Sequence, residues 1–202
     1  MSADDILAAA LTAFARDGYE GMSVRTLTRE LGLSHNAIPQ RFGTKEQLWY
    51  AAVDRGFGGL TALLAEGVGL DGGAAEDPLE VLRGGIRRFL HYSARNPELL
   101  GIMSNEGGQD TPRLAYIYDT YVGPATAPLG ALLAELAAKG HIRPTPVRTL
   151  HFLITSGGAA PFSMTALARK LDRGTRHDPL APAEVEAHAD LVADIIVAGL
   201  RR

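Results

Sequence analysis

The chain has 202 residues, no cysteine and a formal net charge of −3. That length suits one large helical domain, or a small domain joined to a larger one, and the lack of cysteine excludes disulfides and thiolate metal sites. A mildly acidic chain carries no global signal for nucleic acid, so any DNA binding has to come from a local patch. No apolar run reaches the roughly 18 residues that suggest a transmembrane helix. Asp4 and Asp5 stand where a signal peptide would carry positive charge, so a cytoplasmic location is expected.

In chain order the hydrophobic spacing predicts about nine helices and an all-α fold. Ser2 is placed to cap helix 1, over about residues 3–17, with Gly18 as its stop. Ser23 caps helix 2, which carries Val24, Leu27 and Leu31 on one face and stops at Gly32. Ser34 is expected to cap helix 3, over about residues 35–41. Thr44-Lys45-Glu46-Gln47 reads as a capping box opening a long helix 4. Trp49, just inside it, is read as a packing residue. Residues 67–77 form a glycine-rich break, the candidate linker. Asp77-Pro78 opens helix 5, and Asn96-Pro97 separates it from a short helix 6 that ends near Asn105. Thr111-Pro112 starts helix 7, which runs to about Lys139 with kinks expected at Pro124 and Pro128 and a stop at Gly140. Helix 8, about 147–171, contains Gly157-Gly158 and Pro161 and should kink as well. A loop over 172–182 precedes helix 9, about 183–200.

Residues 23–48 have the makings of a helix-turn-helix. The turn needs a glycine where φ can be positive, and Gly32 supplies it. Leu27, Leu31, Leu33 and Ile38 provide an apolar seam between the two helices. His35, Asn36, Gln40 and Arg41 provide a polar edge of the kind that reaches bases in the major groove. Asn and Gln suit adenine, and Arg can bind guanine bidentately. Arg41 and Lys45 are the first candidates for phosphate or base contact. The full candidate DNA-contact set is Arg25, Ser34, His35, Asn36, Ala37, Gln40, Arg41, Thr44 and Lys45. Capping residues such as Ser34 and Thr44 can still meet a phosphate through a backbone N–H. Residues 1–55 hold six basic and seven acidic side chains. Only the clustering of Arg25, Arg29, Arg41 and Lys45 therefore favours DNA, and few phosphate contacts with a modest salt slope are expected.

The stretch 6–55 resembles the DNA-binding domain of the tetracycline-repressor-like (TetR) family of bacterial transcriptional regulators. The residues that carry the resemblance are Phe14-Ala15-Arg16-Asp17-Gly18-Tyr19, Gly32-Leu33-Ser34, Phe42, Gly43-Thr44 and Lys45-Glu46-Gln47-Leu48. The resemblance implies a helix-turn-helix DNA-binding domain over 1–50 and a ligand-binding and dimerisation domain over 51–202. It implies double-stranded operator DNA as partner, a small-molecule effector, and a homodimer through helices 8 and 9. A two-fold dimer would place its recognition helices about 34–36 Å apart, or somewhat more. Pro39 departs from the family, which usually carries a phosphate-touching Tyr there. With Ser34 as cap, Pro39 would be the fifth helical residue and delete an early hydrogen bond, so helix 3 should be shortened, kinked or tightened toward a 3₁₀ turn.

Helices 5 to 8 carry the polar and aromatic mixture that a small-molecule pocket uses. The candidates are His91, Tyr92, Met103, Asn105, Glu106, Tyr116, Tyr121, Phe152, Ser156 and Phe162. They suit a mostly apolar effector held by few hydrogen bonds. Phosphate-loop, zinc-protease and nucleophile-elbow motifs are absent from the sequence, and its six histidines lack metal-ligand spacing. No catalytic activity, metal or cofactor is expected. The sequence reading is thus a ligand-responsive repressor. Pro39 and the weak local charge motivate one alternative, a helical small-molecule-binding protein or enzyme whose helix-turn-helix no longer reads DNA.

Overall fold

Several helix starts in this chain are set by side-chain caps. In the computed structural model, which describes residues 1–67, 77–172 and 178–201, Ser2 and Asp5 form a reciprocal capping box at the start of α1 (Ala3–Gly21). The Ser23 hydroxyl accepts the Thr26 N–H at the start of α2 (Val24–Glu30). A short α3 (Ala37–Phe42) and a long α4 (Lys45–Gly67) follow. Residues 68–76, most of the expected linker, lie outside the described residues. Asp77 then caps α5 (Pro78–Arg95), accepting the Leu79 N–H at 3.0 Å. The remaining helices are α6 (Glu98–Glu106), α7 (Pro112–Ile117), α8 (Gly123–Ala138), α9 (Val147–Phe152), α10 (Ala160–Ser163), α11 (Thr165–Leu171) and α12 (Pro182–Leu200). The described residues contain no strand and only one isolated bridge, between Ile142 and Arg201. Among them, no helix is long and apolar enough to cross a membrane.

Two expected single helices are broken, and proline accounts for where. Between α7 and α8 the chain widens into a π turn over Tyr118–Val122. Pro124 has no N–H for the Thr120 carbonyl, and its ring crowds that carbonyl, so the preceding turn opens. Pro128 is carried inside α8. A second π turn, Leu153–Gly158, lies between α9 and α10, where the Ala159 N–H donates to Ile154 five residues back. The Pro161 ring crowds the Gly157 carbonyl in the same way. The chain leaves helical geometry again at Met164, which separates α10 from α11.

The described chain forms two compact units. Residues 1–59 and 98–118 make the first. Its buried side chains include Ile6, Phe14, Leu27, Ile38, Leu48, Trp49, Val53, Ile102 and Ile117. Here α6 packs closely on α1 because Gly101 lacks a side chain: a Cβ there would lie 3.0 Å from Ala15 Cβ and 3.2 Å from its carbonyl oxygen. Gly18 takes φ 69° and ψ 170°, which breaks α1 and frees carbonyls in the turn before it. The Asn105 amide fills that gap, donating to the carbonyls of Ala15 (2.9 Å) and Phe14 (3.3 Å).

Residues 60–97 and 119–202 make the second unit. Its centre is the antiparallel pair α5 and α12, whose inner faces bury Leu79, Leu82, Ile86 and Leu90 on one side and Val185, Ala189, Ala193 and Val197 on the other. Beside this seam runs a ladder of ions one helical turn apart. Arg83 Nε lies 2.6 Å from Asp194, Arg87 Nε lies 2.6 Å from Asp190, Arg87 also meets Glu186, and His91 Nε2 lies 3.1 Å from Glu186. The bond from Arg83 holds the Asp194 carboxyl below its ordinary pKa. Exposed pairs of this kind are screened by water and add little stability. The apolar seam therefore supplies the stability, and the ladder fixes the register.

Candidate nucleic-acid interface

The turn between α2 and α3 is a complete helix stop. Gly32 takes φ +64°. Its N–H donates to Arg29 at 3.1 Å, and the Leu33 N–H donates to Thr28 at 3.0 Å, the paired closing bonds of a Schellman motif. The Thr28 hydroxyl is buried but donates to the Val24 carbonyl at 2.7 Å, so its polarity costs little. Ile38 on α3 and Leu27 on α2 are both buried and provide the seam.

Helix α3 begins two residues later than the sequence suggested, at Ala37. Ser34 is not a side-chain cap; instead its carbonyl accepts the Ala37 N–H at 2.9 Å. Asn36 occupies the capping position without a side-chain cap bond, and its Oδ1 pairs with His35 Nδ1 at 2.9 Å. Pro39 explains the shift. Counted from Ala37 it is the third helical residue, where an N–H has no partner inside the helix in any case. Counted from His35 it would have been the fifth, with a lost bond and a steric clash. The recognition helix is shortened to six residues.

The α3–α4 corner is fixed by Gly43, at φ 75° and ψ −126°. The Gln47 N–H donates to the Thr44 hydroxyl at 3.1 Å, and Gln47 Oε1 accepts the Thr44 N–H at 2.9 Å. A Cβ at Gly43 would stand 2.0 Å from that Oε1. Gly43→Ala is therefore expected to destabilise the fold by about 2–3 kcal/mol, combining backbone strain with loss of the cap. In chemical denaturation Gln47→Ala should then add little to Gly43→Ala, because both open the same capping box.

Of the nine expected DNA-contact residues, Arg25, Ser34, His35, Asn36, Gln40, Arg41 and Thr44 are exposed, whereas Ala37 and Lys45 are half-buried. Arg41 donates to the Met1 carbonyl at 3.3 Å, an exposed contact that a phosphate can displace. Two of the acids of α1 are paired locally. Arg55 grips Asp4 with two bonds of 2.6 and 3.0 Å and holds its pKa down, and Arg16 does the same for Asp17. Arg25, Arg29 and Arg41 make no ion pair among the described residues. Exposed Glu30 and Glu46 stand next to Arg29 and Lys45, so the positive charge of this face rests on few groups.

The ten expected effector residues divide between the two units. Met103, Asn105, Glu106 and Tyr116 belong to the first unit. There Asn105 ties α6 to α1, and buried Glu106 binds Arg113 Nε at 2.9 Å and accepts the Thr111 hydroxyl at 3.1 Å. The Tyr116 hydroxyl donates to Asp54 at 2.6 Å, with its ring edge-on to Tyr50. His91, Tyr92, Tyr121, Phe152, Ser156 and Phe162 belong to the second unit. Phe162 is buried against the His188 ring, while Phe152 and Ser156 are exposed. His91 lines a cleft of about 310 Å³ with Ala94, Arg95, Leu180, Pro182, Val185 and Glu186. Two further residues near the DNA face escaped sequence reasoning. Tyr19 lies with its ring under Lys45 Nζ at 4.7 Å, and Arg113 lies over the same ring at 4.0 Å. The one sequence signal for them was an aromatic residue directly after the Gly18 break.

A short helix presenting Gln40 and Arg41 beyond a Schellman turn, with arginines outside any ion pair beside it, is the arrangement of a helix-turn-helix DNA-binding domain. Residues 6–53 match the family described as bacterial regulatory proteins, tetR family. No curated protein matches the chain in sequence. Solved structures similar over its whole length include the TetR-family regulator PfmR from Thermus thermophilus, 24% identical at TM-score 0.66, covering 100% of this chain and 98% of that one. A putative fatty acid metabolism regulator from Clostridium perfringens is 18% identical at TM-score 0.72, with 98% of each chain covered. The ketosteroid regulator KstR2 of Mycobacterium tuberculosis is 19% identical at TM-score 0.68, covering 98% and 94%. Residues 6–53 are thus similar to the tetR family, and the chain as a whole has the fold of TetR-family transcriptional regulators.

Proposed function

We propose that this protein is a ligand-responsive transcriptional repressor that binds operator DNA as a homodimer and is released by a small, mostly apolar effector. The observation that carries the reading is the exposed edge of His35, Asn36, Gln40 and Arg41 beside unpaired Arg25 and Arg29, held by the Gly32 turn and the Thr44–Gln47 box. Effector release is a population shift, limited by the effector's differential affinity for the two states. The effector contacts belong to the aromatic and polar set already named, with His91, Tyr92, Tyr121 and Phe162 gathered in the second unit. An apolar effector is supported by the similar solved structures, which include a putative fatty acid metabolism regulator and a ketosteroid regulator.

Arg41→Ala tests the assigned face. It should weaken operator binding by about tenfold, the loss of one guanine or phosphate contact, while the dimer stays intact. Fluorescence anisotropy with labelled duplex measures the first and analytical ultracentrifugation the second. Unchanged affinity would remove Arg41 from the interface. Absence of any binding to duplex at low salt would favour a binding protein that no longer reads DNA.

A further inference from the structure

Lys45 is the first residue of α4, and the DNA-binding reading makes it a phosphate contact. A free lysine would sample many rotamers, but the ammonium of this one has two partners. Its ammonium lies 4.7 Å from the Tyr19 ring centroid and donates to the Glu20 carbonyl at 3.3 Å. An ammonium has three N–H donors, so these two partners leave one for a ligand. The ring is itself fixed. The chain turns at Gly18 and lays Tyr19 parallel on Phe14, with centroids 6.0 Å apart and planes 7° apart. Arg113 lies over the ring at 4.0 Å, and its Nε is bound to buried Glu106. Arg113 cannot swing away without leaving that carboxylate unpaired. Burial raises the Tyr19 hydroxyl above its ordinary pKa, so the ring stays neutral and keeps a face attractive to cations.

We propose that Tyr19 is a positioning residue for DNA binding: its ring, clamped by Phe14 and Arg113, holds the Lys45 ammonium in place for a backbone phosphate. The proposal rests on the DNA-binding reading. Preorganisation is the physical gain, because a lysine already ordered loses less freedom when the phosphate arrives. The role needs the aromatic face and not the hydroxyl, and this separates positioning from simple packing.

The test uses the full chain, a random-sequence duplex titrated across salt concentration, and NMR of the Lys45 ε-methylene protons without DNA. In the wild-type protein those protons should be shifted upfield by the ring. Tyr19→Phe should keep the shift and the affinity. Tyr19→Leu should abolish the shift and weaken binding by about two- to fivefold. Its salt slope should fall toward that of Lys45→Ala, which loses about one unit with its phosphate contact. Tyr19→Leu in the Lys45→Ala background should cause no further loss. The proposal is overturned if the two losses multiply, if Tyr19→Phe loses as much as Tyr19→Leu, or if the wild-type ε protons are unshifted. Shifted protons in a wild-type protein that ignores duplex DNA would show that the DNA-binding reading had failed and taken this proposal with it. Unshifted protons with DNA binding intact would sink the proposal alone.

Discussion

Arg113→Met is expected to lower the stability of the first unit by about 3 kcal/mol, because it leaves a carboxylate stranded inside the protein. The Glu106 side chain is 5% exposed, against 20% for Arg113. The pair is thus desolvated mainly on the acid side, and the cost falls toward the lower end of the range for buried pairs. Glu106 keeps only the Thr111 hydroxyl once the guanidinium is gone. Methionine preserves most of the apolar stem, so the loss reports charge and not volume. In a chain of this length the change corresponds to a melting point lower by about 6–12 °C. Trp49 is the single tryptophan of the chain and is buried in the same unit, so its fluorescence follows the transition. Adding Glu106→Gln should restore most of the loss, since a neutral amide still accepts from Thr111 without needing a counter-ion. A drop below about 1 kcal/mol for Arg113→Met, or no recovery in the double variant, would mean that water already solvates Glu106.

This pair also marks where sequence reasoning stopped. Local signals were legible because their physics is local. The hydroxyls of Ser2, Ser23 and Thr44, and the Asp77 carboxylate, cap the helices they precede, and Gly32 and Gly140 turn the chain at positive φ. At Ser34 two local rules compete. A serine before a polar helix favours a cap, but Pro39 needs an early helical position, and the cost of a proline on the fifth residue exceeds the gain from one cap. The prolines of the later helices announced distortion without saying that it would take the form of π turns. The partners of Asn105, Glu106 and Tyr116 were not legible at all. Those residues looked like pocket polar groups because pocket and core polar groups share a composition. What distinguishes them is pairing: Asn105 with Ala15, 90 residues away, Tyr116 with Asp54, 62 away, and Glu106 with Arg113 across the turn that follows it. The Asn105 pairing depends on the break at Gly18 and the close approach at Gly101, which periodicity does not encode.

Leu191→Glu combined with Ile195→Glu is expected to convert the protein to a monomer and to abolish tight operator binding. On α12 the inner face, from Val185 through Ala189 and Ala193 to Val197, is buried. Leu191 and Ile195, one turn apart on the outer face, are 59% and 62% exposed. Phe152 and Leu153, at the junction of α9 and its π turn, are exposed as well. Large apolar side chains exposed in this way are costly in water and suit an association surface. The sequence reading put the dimer on these elements, and a second copy is the occupant we propose. Two carboxylates placed in such a surface would be buried without partners on each side of the two-fold axis, a penalty that a dimer of ordinary size does not survive. The fold of the single chain should persist, because neither residue contributes to the α5–α12 seam. Sedimentation would then report a folded monomer with unchanged helical circular dichroism. Operator affinity should fall by about 10²–10⁴, the effective-concentration advantage of two linked half-site readers, while the weak salt-dependent binding of a single domain remains. A double variant that still sediments as a dimer would move the interface off α12, and one that is monomeric yet binds operator with unchanged affinity would show that a single helix-turn-helix suffices.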